Sequence, residues 1–189
     1  MRENERQFVD DAIQGIVVEF ERTPHIFLTE EDVRIHLCHK LLQNFGHLEE
    51  TNDGDSSIAL HSEVRWYGDG DLKSRSDIVI VDVSTLNVVK HSKMPSKSYS
   101  FNIPKAIIEI KLRRPNGHND ANFISSINND INKMEQLMPL FCDVGEHTTT
   151  AFWLVVLDKK CCLNSIPEGN DTLTVVYKYA ISQKQRESV

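Results

Sequence analysis

A chain of 189 residues, 40% hydrophobic and 26% charged, has the size and balance of one soluble globular domain with a sizeable core. Its formal charge of −7 argues against a protein that coats nucleic acid through a basic surface, while leaving room for a local basic strip. Four cysteines (Cys38, Cys142, Cys161 and Cys162), with no CxxC pair, argue against a disulfide scaffold or a zinc ribbon and fit a reducing compartment.

Residues 3–21 carry Phe8, Ile13, Val17 and Phe20 as a loose apolar stripe, which predicts an N-terminal helix packed on the core and ended by Thr23-Pro24. The opening Met-Arg-Glu-Asn-Glu-Arg is unlike a signal peptide, and the longest apolar run, 151–157, is too short to span a bilayer. A cytoplasmic protein without membrane contact is expected. Thr29 is placed to cap a second helix, with Asp32 three residues on as a variant capping box and Phe45-Gly46 as the stop. Val33, Leu37 and Leu41 form its stripe, with Ile35, Cys38 and Leu42 beside it. Residues 48–57 are acidic and polar and read as a loop whose spacing does not satisfy an EF-hand.

Residues 58–67 alternate as a strand does. Ile58, Leu60, Val64 and Trp66 take one face; His61, Glu63, Arg65 and Tyr67 take the other. Gly68-Asp69-Gly70-Asp71 is a turn signal joining this strand to the next, 75–83, as a hairpin, with Asp69 and Asp71 as turn residues. Residues 84–103 form a polar connection, long enough to be mobile or to touch a partner. A third strand covers 104–112 and breaks at Pro115-Asn116-Gly117. A third helix covers 119–138, with Phe123, Ile127, Met134 and Leu137 as its buried stripe. Residues 151–158 are apolar on both faces, as in a central strand covered by helices, and 172–180 give a last strand. The order α-α-β-β-β-α-β-β predicts an α/β fold, with one mixed sheet flanked by helices in a single domain.

The chemistry lies on two of these strands. Ser76-Asp77 opens the run Ile78-Val79-Ile80-Val81, and Ala106-Ile107-Ile108 leads into Glu109-Ile110-Lys111. Glu109 and Lys111, two apart, point the same way. Both strands look buried on both faces, so the two acids need a structural salt bridge or a metal. Mg²⁺ would find protein oxygens on Asp77, on Glu109 and on the backbone carbonyl of Ile110. Such an ion activates a bound water and neutralises charge on a phosphate; Lys111 would hold that water or the phosphate.

Asp77 followed by Glu109-x-Lys111, on successive strands flanked by helices, resembles the PD-(D/E)XK nuclease superfamily over roughly residues 29–158. Ser76 stands where that superfamily has proline, which is no ligand. The resemblance implies a restriction-endonuclease-like αβββαβ core with helix 3–21 packed on it. It implies Mg²⁺, or Mn²⁺, and hydrolysis of nucleic-acid phosphodiesters by water attack, with DNA favoured over RNA. It also implies an acidic residue from the first core helix. Glu31 is the candidate, in line with Ile35, Cys38 and Leu42 and so expected to face the sheet; Glu30, in line with Arg34 and Leu37, is less well aimed. A favourable contact with the helix dipole is the alternative for Glu31. Glu63 is a second candidate, with pairing to Arg65 or Arg75 as its alternative. Asp130 and Lys133 on the third helix would reach the site's edge or face solvent. Lys105, Lys111, Arg113 and Arg114, with Lys73 and Arg75 nearby, make a candidate basic strip.

His36, Cys38 and His39 lack a second ligand pair and read as surface residues rather than a zinc site. There is no GxSxG, GxxxxGK[ST] or GxGxxG, which argues against a hydrolase triad and a nucleotide site. Two rival readings remain: a catalytically inactive module of the same fold that binds a protein or nucleic acid, and a structural protein in which Lys111 neutralises Asp77 and Glu109. No interface stripe distinguishes a homodimer from a monomer.

Overall fold

Two helices open the chain, the second from a closed capping box. The computed structural model describes residues 1–67, 73–88, 104–142 and 150–181, apart from the side chains of Tyr67, Lys73, Leu140 and Cys142. The expected turn with Asp69 and Asp71, and most of the connection 84–103, lie outside those residues. Helix α1 (Glu3–Arg22) starts where Glu5 accepts the backbone N–H and the guanidinium of Arg2. Val9, Ala12, Ile13, Ile16, Val17 and Phe20 bury one face; Phe8 is half-buried, its ring edge-on to Phe45 at 5.9 Å. The chain turns through a short 3-10 segment, Pro24–Ile26, into helix α2 (Glu30–Phe45).

Thr29 Oγ1 accepts the Asp32 amide at 3.2 Å, and Asp32 Oδ2 accepts the amides of Thr29 and Leu28 at 2.8 and 2.7 Å. Those amides hold the Asp32 carboxyl below the usual carboxylate range. Thr29→Ala should therefore cost about 1 kcal/mol, read from urea midpoints at unchanged slope. Val33, Leu37, Leu41 and Phe45 are buried. The neighbouring row is not: Ile35 and Leu42 are 56% and 43% exposed. Ile35 lies about 200° round the helix from Val33, on the face turned away from the buried stripe. The expectation that this row faces the sheet, on which the aim of Glu31 rested, is corrected.

Strands β1 (Glu49–Glu50) and β2 (Ser56–Ser57) pair as a small antiparallel ribbon where a loop was expected. Gly54, at φ 84, supplies its left-handed turn. The main sheet holds β3 (Leu60–Tyr67), β4 (Lys73–Val81), β5 (Pro104–Arg113), β6 (Ala151–Asp158) and β7 (Leu173–Tyr179), in that spatial order. β3, β4 and β5 are antiparallel; β6 and β7 run parallel to β5. Helix α3 (Asp120–Cys142) makes the crossover from β5 to β6, and it continues past the expected end at 138 through Pro139. The chain is thus the mixed α/β fold expected. β6 is buried at every position, which requires cover on both faces of the sheet. α2 packs on β3, β4 and β5; α1 packs on α2, β6 and β7; α3 packs on β5 and β6. No helix among the described residues is long and apolar enough to cross a membrane.

Two buried polar groups explain local sequence. Ser76, next to Asp77, accepts the indole N–H of buried Trp66 at 2.9 Å. Arg113 is buried at the end of β5, clasped by Asp158 and by Asp120. The expected basic strip is corrected accordingly: Arg113 serves the core, and Lys105 reaches Glu5 of α1 at 3.5 Å.

Candidate functional site

The site is built where two strands part. Pairing between β4 and β5 runs from Val81–Pro104 to Ile78–Ile108. One step further, Asp77 stands across from Glu109. Asp77 Oδ2 there accepts the Ile110 amide at 2.8 Å, taking the place of a ladder carbonyl. A strand residue's N–H and C=O point to the same side, so the Ile110 carbonyl faces the same gap. On the other side of β4, the pairs Ser62–Ile78 and Val64–Ser76 bracket Glu63 opposite Asp77. Glu63, Asp77 and Glu109 thus form a row across three strands. Glu63 holds its place at φ 57, a left-handed conformation uncommon outside glycine.

Glu109 is only 3% exposed. Its Oε2 receives Lys133 Nζ at 2.6 Å, and its Oε1 is buried with no hydrogen-bond partner. Burial pushes its carboxyl up to about 7; Lys133 pulls against this, and the charges of Asp77 and Asp130 add to the rise. Lys133 also donates to the Arg75 carbonyl at 2.9 Å. Lys111 Nζ lies 2.9 Å from Asp130 Oδ2. Burial works against its charge, yet Asp130, then Glu30 and Asp77, hold the ammonium above the usual lysine range. Arg34, from α2, closes on Glu31 and on Glu63, and its Nη1 is 3.7 Å from Asp77 Oδ1. Arg75 grips the other Glu63 oxygen at 2.5 Å.

No family model, curated protein or solved structure matches the chain.

Asp77, Glu109, Ile110 and Lys111 come together as the sequence pattern requires. Glu63 is present too, paired to Arg75 as one alternative had it, and to Arg34 as well. Glu31 joins only through Arg34, and its side chain is 56% exposed. The acid that turns to the sheet is Glu30, whose Oε1 accepts the Leu112 amide at 3.2 Å. Asp130 and Lys133 belong to the site rather than to a solvated helix face. The cations on the two acids are Arg34 and Lys133; Lys111 is held by Asp130. Arg34 was missed. Its signal was its place one turn after Glu30 and Glu31 on a helix that packs on the sheet. His36 pairs with Glu19 at 3.4 Å and sits edge-on to Phe27, an arrangement that serves packing.

Among the described residues no group of three or more His, Cys, Asp and Glu is gathered as a metal site. Two carboxylates and a carbonyl nonetheless fit a small hard cation, which keeps several waters. The orphaned, buried Glu109 Oε1 is the oxygen that calls for a cation or a proton. A cleft of about 920 Å³ opens beside the site, its wall including Glu31, Arg34, Lys111, Arg114 and His118.

The raised Glu109 carboxyl has a consequence for stability. Its value is about 7 in the fold against an ordinary 4.5, so between those pH values the native state holds more protons than the unfolded chain. Stability should fall as pH rises through that window, by up to roughly 3 kcal/mol. Glu109→Gln removes the effect. Urea midpoints from pH 4 to 8 should show the variant gaining on the parent as pH rises; parallel curves would contradict this.

Proposed function

We propose that the protein is a metal-dependent nuclease of the restriction-endonuclease-like, PD-(D/E)XK class that hydrolyses phosphodiester bonds of DNA. One observation carries the reading: Asp77 and Glu109 meet where β4 and β5 part, with one buried glutamate oxygen unpaired and Lys111 two residues on. The order α2-β3-β4-β5-α3-β6 supports the fold assignment. Asp77, Glu109 and the Ile110 carbonyl would hold Mg²⁺ or Mn²⁺. Such an ion, when bound, lowers the pKa of a water and neutralises charge on the phosphate.

The chain's own residues supply the rest. Lys111, on the cleft wall, offers its ammonium to a phosphate oxygen or to the attacking water. Asp130 keeps that ammonium charged and oriented. Lys133 fixes Glu109 through Oε2 and leaves Oε1 for the ion. Arg114 and His118, further along the cleft, are placed for neighbouring phosphates.

The test is cleavage of single- and double-stranded DNA and RNA with Mg²⁺ or Mn²⁺, with EDTA and Lys111→Ala as controls. Cutting that needs the metal and vanishes in the variant supports the nuclease; cutting of RNA alone corrects the substrate. One observation favours a second reading. Asp77 and Glu109 already face cations of the chain itself, Arg34 and Lys133, as they would in an inactive module that binds a protein or nucleic acid. No cutting, with no Mn²⁺ heat in calorimetry, would establish that reading instead.

A further inference from the structure

Three carboxylates converge on one guanidinium. Arg34 closes Nη1 on Glu63 and Nη2 on Glu31, with Nη1 also 3.7 Å from Asp77 Oδ1. Its side chain is 13% exposed, so this is no loose surface pair. The two oxygens of Asp77 are divided between tasks. Oδ2 accepts the Ile110 amide, and Oδ1, the oxygen left for an ion, faces Arg34. Glu63 adopts its left-handed backbone at the point where it grips the same guanidinium. Arg34 also lines the cleft, together with Lys111 and Arg114.

We propose that Arg34 is the resident cation of Asp77 and Glu63, holding them together without a divalent ion and turning into the cleft to grip a substrate phosphate when Asp77 and Glu109 ligate such an ion. The inference rests on the nuclease reading and adds to it a device that couples metal to substrate. A guanidinium and a divalent ion beside one carboxylate repel, so metal affinity in the free protein is held down. Glu31, exposed on the cleft wall, gives Arg34 a partner to keep while it leaves Asp77. The planar fork then matches phosphate oxygens in pairs. A phosphate in the cleft thereby eases metal entry, and by linkage metal strengthens substrate binding by the same factor.

The experiment is calorimetric titration of Mn²⁺ into the whole protein, with and without a short phosphorothioate DNA duplex, followed by KM and kcat on ordinary duplex. In Arg34→Ala, Mn²⁺ alone should bind about tenfold tighter, DNA should strengthen it less than in the parent, and KM for DNA should rise about tenfold. Arg34→Lys keeps the competing charge and loses the fork, so its Mn²⁺ affinity stays near the parent's while KM rises. Should Arg34→Ala melt below the assay temperature, Arg34→Met carries the same test with the stem retained. Unchanged or weaker Mn²⁺ binding in the alanine variant, while Asp77→Ala abolishes binding, overturns the role of Arg34 alone. A parent protein that binds no Mn²⁺ either alone or with the duplex present overturns the nuclease reading and this inference with it.

Discussion

Replacing Lys111 by alanine should lower metal-dependent DNA cleavage by about 10²–10³-fold, the usual loss when one preorganised charge is removed from a reacting centre. The fold should survive. Lys111 is 23% exposed, and its partner Asp130 keeps a second cation, Lys133, at 4.0 Å. The stability cost should therefore stay well under the roughly 3–5 kcal/mol of a stranded buried charge. Asp77→Ala should be as inactive for another reason: it removes the proposed metal ligand and the acceptor of the Ile110 amide together. Activity in Lys111→Ala within tenfold of the parent, at equal folded fraction, would sink the role given to it. Measuring both variants at matched folded fraction keeps a loss of chemistry apart from a loss of protein.

The parts of this molecule that could be read in its sequence are those set by neighbours in the chain. The Thr29–Asp32 box marks the start of α2 because both partners lie within one turn. The double-faced apolar run that ends at Asp158 is β6 to the residue, since a strand covered on both sides admits a polar group only where a partner such as Arg113 meets it. Asp77 and Glu109-x-Lys111 are legible for the same reason: alternation fixes their faces. What escaped is what depends on packing between distant segments. Lys133 reaches Glu109 from 24 positions away, and Arg34 reaches Asp77 from 43. Charge pairs at those separations leave no periodic trace. Glu31 was aimed by a helical row in which Cys38 is partly buried while Ile35 and Leu42 face solvent, because α2 packs mainly along the Val33 row. Arg113 was read as surface charge, although its position next to Leu112 gave no hint that Asp158 would be waiting at the end of β6.

That buried pair should have the largest effect on stability. Arg113 donates through Nε to Asp158 Oδ1 at 2.9 Å, through Nη2 to the other Asp158 oxygen, and through Nη1 to Asp120 at 2.6 Å. Its guanidinium also lies over the Phe123 ring, 4.6 Å from the centroid. Asp158 accepts in addition the Lys160 amide at 2.9 Å and the Tyr177 hydroxyl at 3.1 Å. The side chains of the two partners are 1% and 0% exposed. Removing Arg113 leaves Asp158 buried without its cation, and removing Asp158 leaves Arg113 only the exposed Asp120, so Arg113→Ala should cost about 3–5 kcal/mol in urea unfolding and Asp158→Ala somewhat less. The double variant Arg113→Met with Asp158→Asn should cost less than the two single losses added, because neither charge is then stranded. A loss under 1 kcal/mol in both single variants would contradict the account. The comparison with Lys111 also separates two uses of charge on one strand. Two residues apart on β5, Lys111 should govern turnover at nearly constant stability, while Arg113 should govern stability at nearly constant turnover per folded molecule. The difference follows from burial: both residues line the cleft, but the Lys111 side chain is 23% exposed and can exchange Asp130 for a phosphate, whereas that of Arg113 is 1% exposed and clasped by Asp158, Asp120 and Phe123.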